Sequence, residues 1–198
     1  MVSMMKTEVE AKFTSVDHDS MRKKLGEMNA ALTHPMRLMK RVTIDSPYMK
    51  SKDAFLRIRD QGDKTTITYK QFDELSLSGA KEIEIVVDDF EHAVALLAAA
   101  GLEHGSFQES KRETWKLDGV TIELDEWPWL DPYVEIEGLD EKSVKDVANT
   151  LGFDWDKAVF GDVMAAYRVQ YPHLGPKDTV GNLPEVKFGA ELPKFLQP

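Results

Sequence analysis

Five segments in which charged and apolar residues alternate carry two charged residues of the same sign, spaced two positions apart. Four pairs are acidic and one is basic: Glu8 and Glu10, Glu82 and Glu84, Glu123 and Asp125, Glu135 and Glu137, and Arg57 and Arg59. Carboxylates are hard oxygen ligands, which Mg2+ and Mn2+ prefer. The planar guanidinium group of arginine, with its fork of donors, matches phosphate oxygens. These residue types therefore indicate metal ions and a phosphate chain as ligands, if the fold brings them together.

A spacing of two is the period of a β-strand, so each pair lies on one face of a predicted strand. In residues 6–13, for example, Glu8 and Glu10 face one side, and Val9 and Ala11 face the other. The same alternation predicts eight strands: residues 6–13, 37–45, 54–59, 66–70, 81–87, 108–116, 120–125 and 133–137.

Four helices are predicted between and after these strands, from acidic N-caps and apolar spacing. The first three follow Asp17, Asp88 or Asp89, and Asp140, and end near Met28, Gly101 and Gly152. The fourth follows Asp154, with an apolar stripe of Val159, Phe160, Val163, Met164 and Tyr167. From Pro172 onward the chain holds five of its nine prolines, so no regular structure is expected there. We expect one domain over residues 1–171 and a proline-rich tail over 172–198 that either wraps the domain or frays.

Composition excludes several classes of protein. The chain of 198 residues has 25 Lys+Arg against 35 Asp+Glu, and its net charge of −10 argues against a general nucleic-acid binder. Without cysteine there is no disulfide framework, thiolate metal site or cysteine nucleophile. No apolar run approaches the ~20 residues of a membrane span, and residues 1–10 have no signal-peptide pattern. We therefore expect a soluble cytoplasmic protein with no membrane or nucleic-acid partner.

The charged strand faces have two interpretations. They could be the solvated outer face of an open antiparallel sheet, with cross-strand ion pairs. Alternatively, the strands close into a barrel whose lumen is charged and whose apolar outer face is covered by the helices. Segregation of the pairs by sign favours the barrel, because a merely soluble face would mix lysine, threonine, serine and glutamine more freely. The predicted fold is α+β: an eight-stranded antiparallel β-barrel, or tunnel, with helices packed outside.

The segment Glu8-Val-Glu10-Ala-Lys12 resembles the Glu-x-Glu-x-Lys signature of the CYTH superfamily, the triphosphate tunnel metalloenzymes. Five residues are a weak pattern alone. The rest of the family's pattern follows in order: Arg57 and Arg59, Lys70, Glu82 and Glu84, Arg112, Glu123 and Asp125, and Glu135, Glu137 and Gly138. The resemblance covers residues 6–151 and implies the same eight-stranded tunnel.

The resemblance also implies roles for individual residues. Metal binding, to Mg2+ or Mn2+, is implied for Glu8, Glu10, Glu123, Asp125, Glu135 and Glu137. Phosphate binding is implied for Lys12, Arg57, Arg59, Lys70 and Arg112. The residues closest to catalysis would be Glu10, Lys12, Glu82 and Glu84, of which the last two would line the acidic side and orient water or bind a second metal.

The chain departs from the family pattern at two places. Many members have Lys-x-Arg where this chain has Ser110 and Arg112, so one phosphate ligand is either missing or supplied by Arg41. Many also have a Ser-Tyr pair where this chain has Val159 and Phe160.

Three functions fit this pattern. The first is a metal-dependent phosphohydrolase acting on a small triphosphate: inorganic triphosphate, or a nucleoside or thiamine triphosphate. The second is a class IV adenylyl cyclase, which would form cyclic AMP and pyrophosphate from ATP, and the third is a non-catalytic polyphosphate-binding module. We expect a monomer or a homodimer.

Overall fold

The alternating segments form one long antiparallel sheet in the computed structural model, which describes residues 5–73 and 76–197; the outer limits of the predicted domain and tail, Met1 and Pro198, lie outside these ranges. The strands are β1 (Lys6–Thr7), β2 (Val9–Phe13), β3 (Ala31–Ile44), β4 (Ala54–Asp60), β5 (Thr65–Phe72), β6 (Ala80–Val87), β7 (His104–Leu117), β8 (Val120–Trp127), β9 (Leu130–Gly138) and β10 (Glu185–Val186). Their order is β1-β6-β5-β4-β3-β7-β8-β9-β2, and β10 pairs in parallel with β7.

The first predicted strand closes the sheet because it is divided at Glu8. On one side β1 pairs with β6, with Lys6 opposite Glu82, and on the other side β2 pairs with β9, with Val9 opposite Gly138. A single segment thus hydrogen-bonds to both edges, and the result is a nearly closed barrel with helices around it. The predicted fold is confirmed; the strand count differs because residues 6–13 form two strands and the tail adds β10.

The helices are α1 (His18–Glu27), α2 (Pro47–Lys50), α3 (Phe90–Ala99), α4 (Glu141–Thr150) and α5 (Val163–Gln170), with 3-10 turns at Trp155–Lys157, Val180–Asn182 and Lys194–Leu196. The predicted N-caps Asp17, Asp89 and Asp140 each accept hydrogen bonds from backbone amides of the first turn. The first three predicted helices are therefore confirmed. Within the described residues, no helix has the length and apolar character needed to cross a membrane.

The prediction of a fourth helix directly after Asp154 is wrong. Asp154 caps only a 3-10 turn, and the next helix, α5, begins at Val163 with Asp162 as its cap. Between them Val159 exchanges both backbone hydrogen bonds with Lys12 of β2 (2.9 Å each), so the backbone is extended there. Gly161, at φ 103°, then turns the chain toward the helix.

The helices cover the apolar outer face of the barrel. Val144 and Val147 of α4 pack with Ile122 and Ile136 in one buried cluster. In a second cluster Ala93 of α3 is buried with residues of β3 and β4. Because side chains alternate along each strand, burying the apolar residues outside turns the charged ones inward.

The segment after Pro172 packs against the barrel and contains short regular elements, which the proline content did not predict. Leu174, Val180, Val186 and Leu196 are buried with Trp127 and Tyr133 in a third cluster. Val186 lies opposite Gln108 near the start of β7, and Trp127 lies at the turn between β8 and β9. The segment therefore covers the end of the barrel where these two features lie.

Gly138, the last residue of the Glu135–Gly138 motif, lies where β9 meets α4. A Cβ atom at this position would be 2.8 Å from Ser143 Oγ and 3.0 Å from Val144 Cγ2. Ser143 belongs to the capping box of α4, so Gly138→Ala should disturb both the cap and the packing. We expect the variant to lose about 1–3 kcal/mol of unfolding free energy, measured by urea denaturation.

Gly26→Ala is the matched control for this prediction. Gly26 lies in α1, and a Cβ atom added there would have no neighbouring atom within 4 Å outside its own helix turn. Its replacement should stabilise the protein by about 0.5–1 kcal/mol through helix propensity. Equal effects of the two substitutions would contradict the proposed close approach at Gly138.

Candidate active site

The barrel lumen is a cavity of about 710 Å³. All predicted site residues except Asp125 line it: Glu8, Glu10, Lys12, Arg41, Arg57, Arg59, Lys70, Glu82, Glu84, Arg112, Glu123, Glu135 and Glu137. Asp125, with a side chain only 1% exposed, lies behind Arg112. The fold therefore gathers into one cavity residues that are up to 129 positions apart, from Glu8 to Glu137.

Strand register sets the order of charges around the lumen. Arg59 lies opposite Arg41 of β3 on one side and Thr66 of β5 on the other. Lys70 of β5 lies opposite Glu82 of β6. Because paired residues share a face of the sheet, the basic residues of β3 and β4 form one wall, which we call the arginine wall (Arg41, Arg57 and Arg59).

The arginine wall holds three guanidinium groups close together with few anionic partners. The Nε atoms of all three are buried, and none has a hydrogen-bond acceptor among the residues that the structure describes. Burial, together with repulsion from Arg57 and Arg59, holds the pKa of Arg41 well below its ordinary value. Burial and repulsion from Arg57 likewise lower the pKa of Arg59 to about 9. Buried like charges of this kind favour an anion as their partner.

Arg41 lies where the sequence departs from the family pattern. Its Nη2 donates to Ser110 Oγ at 3.0 Å, and its guanidinium lies 4.4 Å from the ring centre of Trp127. Lys111 faces the outside of the barrel, where it pairs with Glu126 at 3.2 Å. Arg41 thus lies beside Ser110, and its role as a phosphate ligand remains a prediction.

Next to the arginine wall, Glu8, Glu10 and Glu82 form an acidic region around Lys70. Lys70 Nζ lies 2.7 Å from Glu8 Oε2 and 3.1 Å from Glu82 Oε1. Burial raises the pKa of Glu8 to about 8, assisted by the charges of Glu10 and Glu82 and opposed by Lys70. The raised pKa means that the surroundings of Glu8 disfavour its ionised form, and a divalent cation at these carboxylates would favour that form.

Lys12, the last residue of the Glu-x-Glu-x-Lys signature, is buried and fully engaged. Its Nζ donates to Glu10 Oε1 and to the carbonyl oxygen of Gly161, both at 2.7 Å, and lies 3.0 Å from Glu135 Oε2. Burial alone would lower the pKa of Lys12, but Glu10 and Glu135 raise it above its ordinary value. An ammonium group has three donors, and these contacts account for all three.

Glu123, Asp125 and Glu135 form a compact group, which we call the acidic cluster. Each offers a carboxylate oxygen within 4.8 Å of the others, a geometry that could hold a metal ion. Arg112 already contacts all three: Nη1 pairs with Glu123, and Nη2 lies 2.6 Å from Asp125 Oδ2 and 3.2 Å from Glu135 Oε1. Burial nevertheless raises the pKa of Glu123 to about 8, with Glu135 and Asp125 adding to the effect and Arg112 opposing it.

The donor set of the lumen fits the metals implied by the sequence. Its candidate ligands are carboxylate oxygens, which suit Mg2+ and Mn2+ better than softer metals. Glu137 lies 3.2 Å from Lys6, and Glu84 accepts a 2.8 Å hydrogen bond from Thr68. Both are more exposed than the acidic cluster.

Several residues that line the lumen escaped the sequence analysis. They include Gln108, Tyr133, Asp162 and the segment Thr179–Asn182, which comes from the proline-rich tail. No local pattern marks them, because the tail reaches the lumen through apolar contacts of Val180 rather than through a motif. Phe160 instead packs beside Trp155 on the outside of the barrel, where its ring lies 6.1 Å from the indole.

Comparisons with solved structures show where this barrel has been seen before. PH1819 from Pyrococcus horikoshii OT3 is 25% identical with a TM-score of 0.64, and the match covers 82% of this chain and 99% of that one. A candidate adenylate cyclase from Vibrio parahaemolyticus is 13% identical, with a TM-score of 0.69 over 80% of this chain and 96% of the other. HpAC1 from Hippeastrum, a candidate adenylyl cyclase described as having a dominant triphosphatase activity, is 17% identical, with a TM-score of 0.54 over 82% and 96%.

No curated protein sequence matches the chain. The CYTH domain family, in contrast, matches residues 6–157, which include every residue of the acidic cluster and the arginine wall. With the barrel, the lumen and the order of charged residues all in agreement, the chain belongs to the CYTH family.

Proposed function

We propose that the protein is a divalent-metal-dependent phosphohydrolase that hydrolyses a small triphosphate inside the lumen. The observation that supports this most strongly is the arginine wall, whose buried guanidinium groups have unpartnered Nε donors and face carboxylates across the cavity. A chain of phosphates would satisfy the arginines, and a divalent ion would satisfy the carboxylates. Triphosphatases and candidate adenylyl cyclases both occur in the CYTH superfamily, and metal dependence is a property of the family.

In this proposal the arginine wall binds and orients the phosphate chain. Arg57 and Arg59 share a face of β4, and Arg41 lies beside them on β3, so the three groups can contact successive phosphate oxygens. Their positions are fixed by the sheet before the substrate arrives. Such preorganised positive charge stabilises the charge that develops on phosphate oxygens during transfer, at little cost in reorganisation.

Glu8, Glu10, Glu135 and Glu137 would hold the metal, as the resemblance implies. A divalent ion bound there would supply positive charge to the phosphate oxygens. Lys12 acts as a positioning residue in this scheme, because its contacts to Glu10 and Glu135 fix both carboxylates and leave it no donor for phosphate. Glu82 and Glu84 lie nearest to the arginine wall among the acidic residues, with Arg57 3.9 Å from each. They would orient a water molecule and accept its proton during in-line attack on the terminal phosphorus.

A substrate panel tests the proposal. Purified protein is incubated with inorganic triphosphate, ATP or thiamine triphosphate, with Mg2+ or Mn2+, and both orthophosphate and cyclic AMP are measured. We expect metal-dependent orthophosphate release from at least one triphosphate, abolished by EDTA and restored when the metal is added back. Cyclic AMP with pyrophosphate would instead identify an adenylyl cyclase, and tight binding without any product would identify a polyphosphate-binding module.

A further inference from the structure

The guanidinium of Arg112 lies among the three carboxylates of the acidic cluster, where a metal ion could otherwise bind. Its guanidinium contacts Glu123, Asp125 and Glu135 at once, including two hydrogen bonds to Asp125 at 2.7 and 2.6 Å. Those three residues are also the group whose oxygens lie close enough together to hold a cation. One set of ligand atoms is therefore available to either of two cations, an arginine of the chain or a metal ion from solution.

The same arginine lies between the acidic cluster and the arginine wall. It is close enough to Arg41 and to Arg59 to lower the pKa of each by charge repulsion. Arg112 also lines the cavity, with its side chain 13% exposed, whereas Asp125 behind it is 1% exposed. The guanidinium therefore lies between the carboxylates of the acidic cluster and the arginines that would hold an anion.

The arginine leaves part of the acidic cluster without a hydrogen bond. Glu123 Oε2 is buried and has no hydrogen-bond partner among the residues that the structure describes, although it pairs with Arg112 Nη1. Lys12, the other cation at the cluster, is shared between Glu135 and Glu10. A divalent ion among the three carboxylates would give this oxygen a partner, so the cluster should prefer the divalent ion when one is present.

We propose that Arg112 is a place-holder for a divalent metal ion: it neutralises the acidic cluster while no metal is bound, and a metal ion that enters the cluster releases the guanidinium to bind the triphosphate. The triphosphate half of this inference rests on the proposed function, and the metal half does not. Binding of the metal and binding of the anion by Arg112 are then coupled, because each depends on the arginine leaving the carboxylates.

The metal half is tested by Mn2+ binding, followed by electron paramagnetic resonance of the free ion, in the absence of any phosphate. At a fixed free Mn2+ concentration, Arg112→Met should bind an additional Mn2+ ion per chain or bind Mn2+ tighter by roughly 10- to 100-fold, a change typical of altered groups around a metal site. Lys111→Met is the matched control, because Lys111 is the neighbouring cation on β7 and faces outward. Equal Mn2+ binding by wild type and Arg112→Met would overturn the proposal.

Removing Arg112 leaves three buried carboxylates without their main partner, so Arg112→Met should fold less stably without metal. We expect Mn2+ to raise its melting temperature more than that of wild type. Arg112→Lys provides a second, milder variant, since an ammonium group cannot bridge three carboxylates as a planar guanidinium does. It should bind Mn2+ with an affinity between those of wild type and Arg112→Met, and an affinity equal to wild type would count against the proposal.

The triphosphate half is tested by binding inorganic triphosphate in EDTA, where no hydrolysis is expected. Arg112 is then held by the acidic cluster, so Arg112→Met should bind the anion nearly as well as wild type. Arg59→Met should bind it about 10- to 100-fold more weakly, as expected for loss of charged hydrogen bonds. Equal losses in both variants would show that Arg112 already faces the anion without metal and would refute the exchange.

These measurements also separate failure of the inference from failure of the proposed function. If Arg112→Met gains Mn2+ but neither protein hydrolyses any triphosphate, the place-holder stands and the hydrolase proposal fails. If wild type hydrolyses triphosphate but Arg112→Met gains no Mn2+, the hydrolase proposal stands and the place-holder fails.

Discussion

Arg59→Met is expected to lower triphosphate turnover by at least ~10²-fold, the usual effect of removing one preorganised charge from a site. The variant should keep its melting temperature or gain slightly. Methionine retains the apolar stem of the side chain and removes a charge that the folded protein holds at a cost, since burial and repulsion from Arg57 lower the pKa of Arg59 to about 9. A basic group whose pKa falls on folding destabilises the fold while it is charged, so its removal relieves that cost. Steady-state kinetics with inorganic triphosphate and a thermal melt check both parts.

Lys40→Met is the matched control for Arg59→Met. Lys40 precedes Arg41 on β3, is exposed, and lies on the opposite face of the sheet. The substitution removes one positive charge, as Arg59→Met does, but from outside the lumen, so turnover and melting temperature should both stay near wild type. Wild-type turnover in Arg59→Met would remove the arginine wall from the mechanism, whereas equal losses in both variants would indicate a general effect of net charge.

Glu10→Gln is expected to have the second large effect, a loss of at least ~10²-fold in metal-dependent turnover. The change keeps the size of the side chain but removes a carboxylate charge that is 9% exposed and 2.7 Å from Lys12. The metal concentration needed for half-maximal activity should also rise by at least ~10-fold. Titrating activity with Mg2+ and Mn2+ measures this, and partial recovery at high metal would distinguish a weakened metal site from a misfolded protein.

Glu126→Gln serves as the control on the acidic side. Glu126 follows Asp125 on β8 but pairs with Lys111 outside the barrel. Its loss should leave both turnover and the metal requirement unchanged. The assignment of Glu10 to the metal site would be untenable if Glu10→Gln kept its turnover and its metal requirement.

The sequence predicted the barrel well because its strands alternate cleanly. The spacing of two between Glu8 and Glu10, or between Arg57 and Arg59, is a local property that places both charges on one face of a strand. Closure of the sheet was then enough to bring these faces together in the lumen. The caps at Asp17, Asp89 and Asp140 were equally local, because each acidic side chain binds amides of its own first turn.

The predictions that were wrong or incomplete concern contacts between residues that are distant in the sequence. Val159 fits a helical stripe in sequence, but its backbone hydrogen-bonds to Lys12, 147 positions away in the chain. The contribution of Thr179–Asn182 to the lumen depends in the same way on burial of Val180 against a distant hairpin. The sequence also identified Lys12 and Arg112 as charged site residues but not which partners they would take, since competition among nearby charges is decided by geometry.

The division of the first strand at Glu8 has a consequence for how the chain folds. The pairings of Lys6 with Glu82 and of Val9 with Gly138 join residues that are 76 and 129 positions apart. A high contact order of this kind slows folding, because loop-closure entropy is lost before the contacts form. During synthesis β1 and β2 must also wait for β9 to emerge before both of their pairings can exist. The Glu-x-Glu-x-Lys signature is therefore made before the other strands of the barrel but reaches its final place only after β9 has been made, so a nascent chain cannot complete the lumen before then.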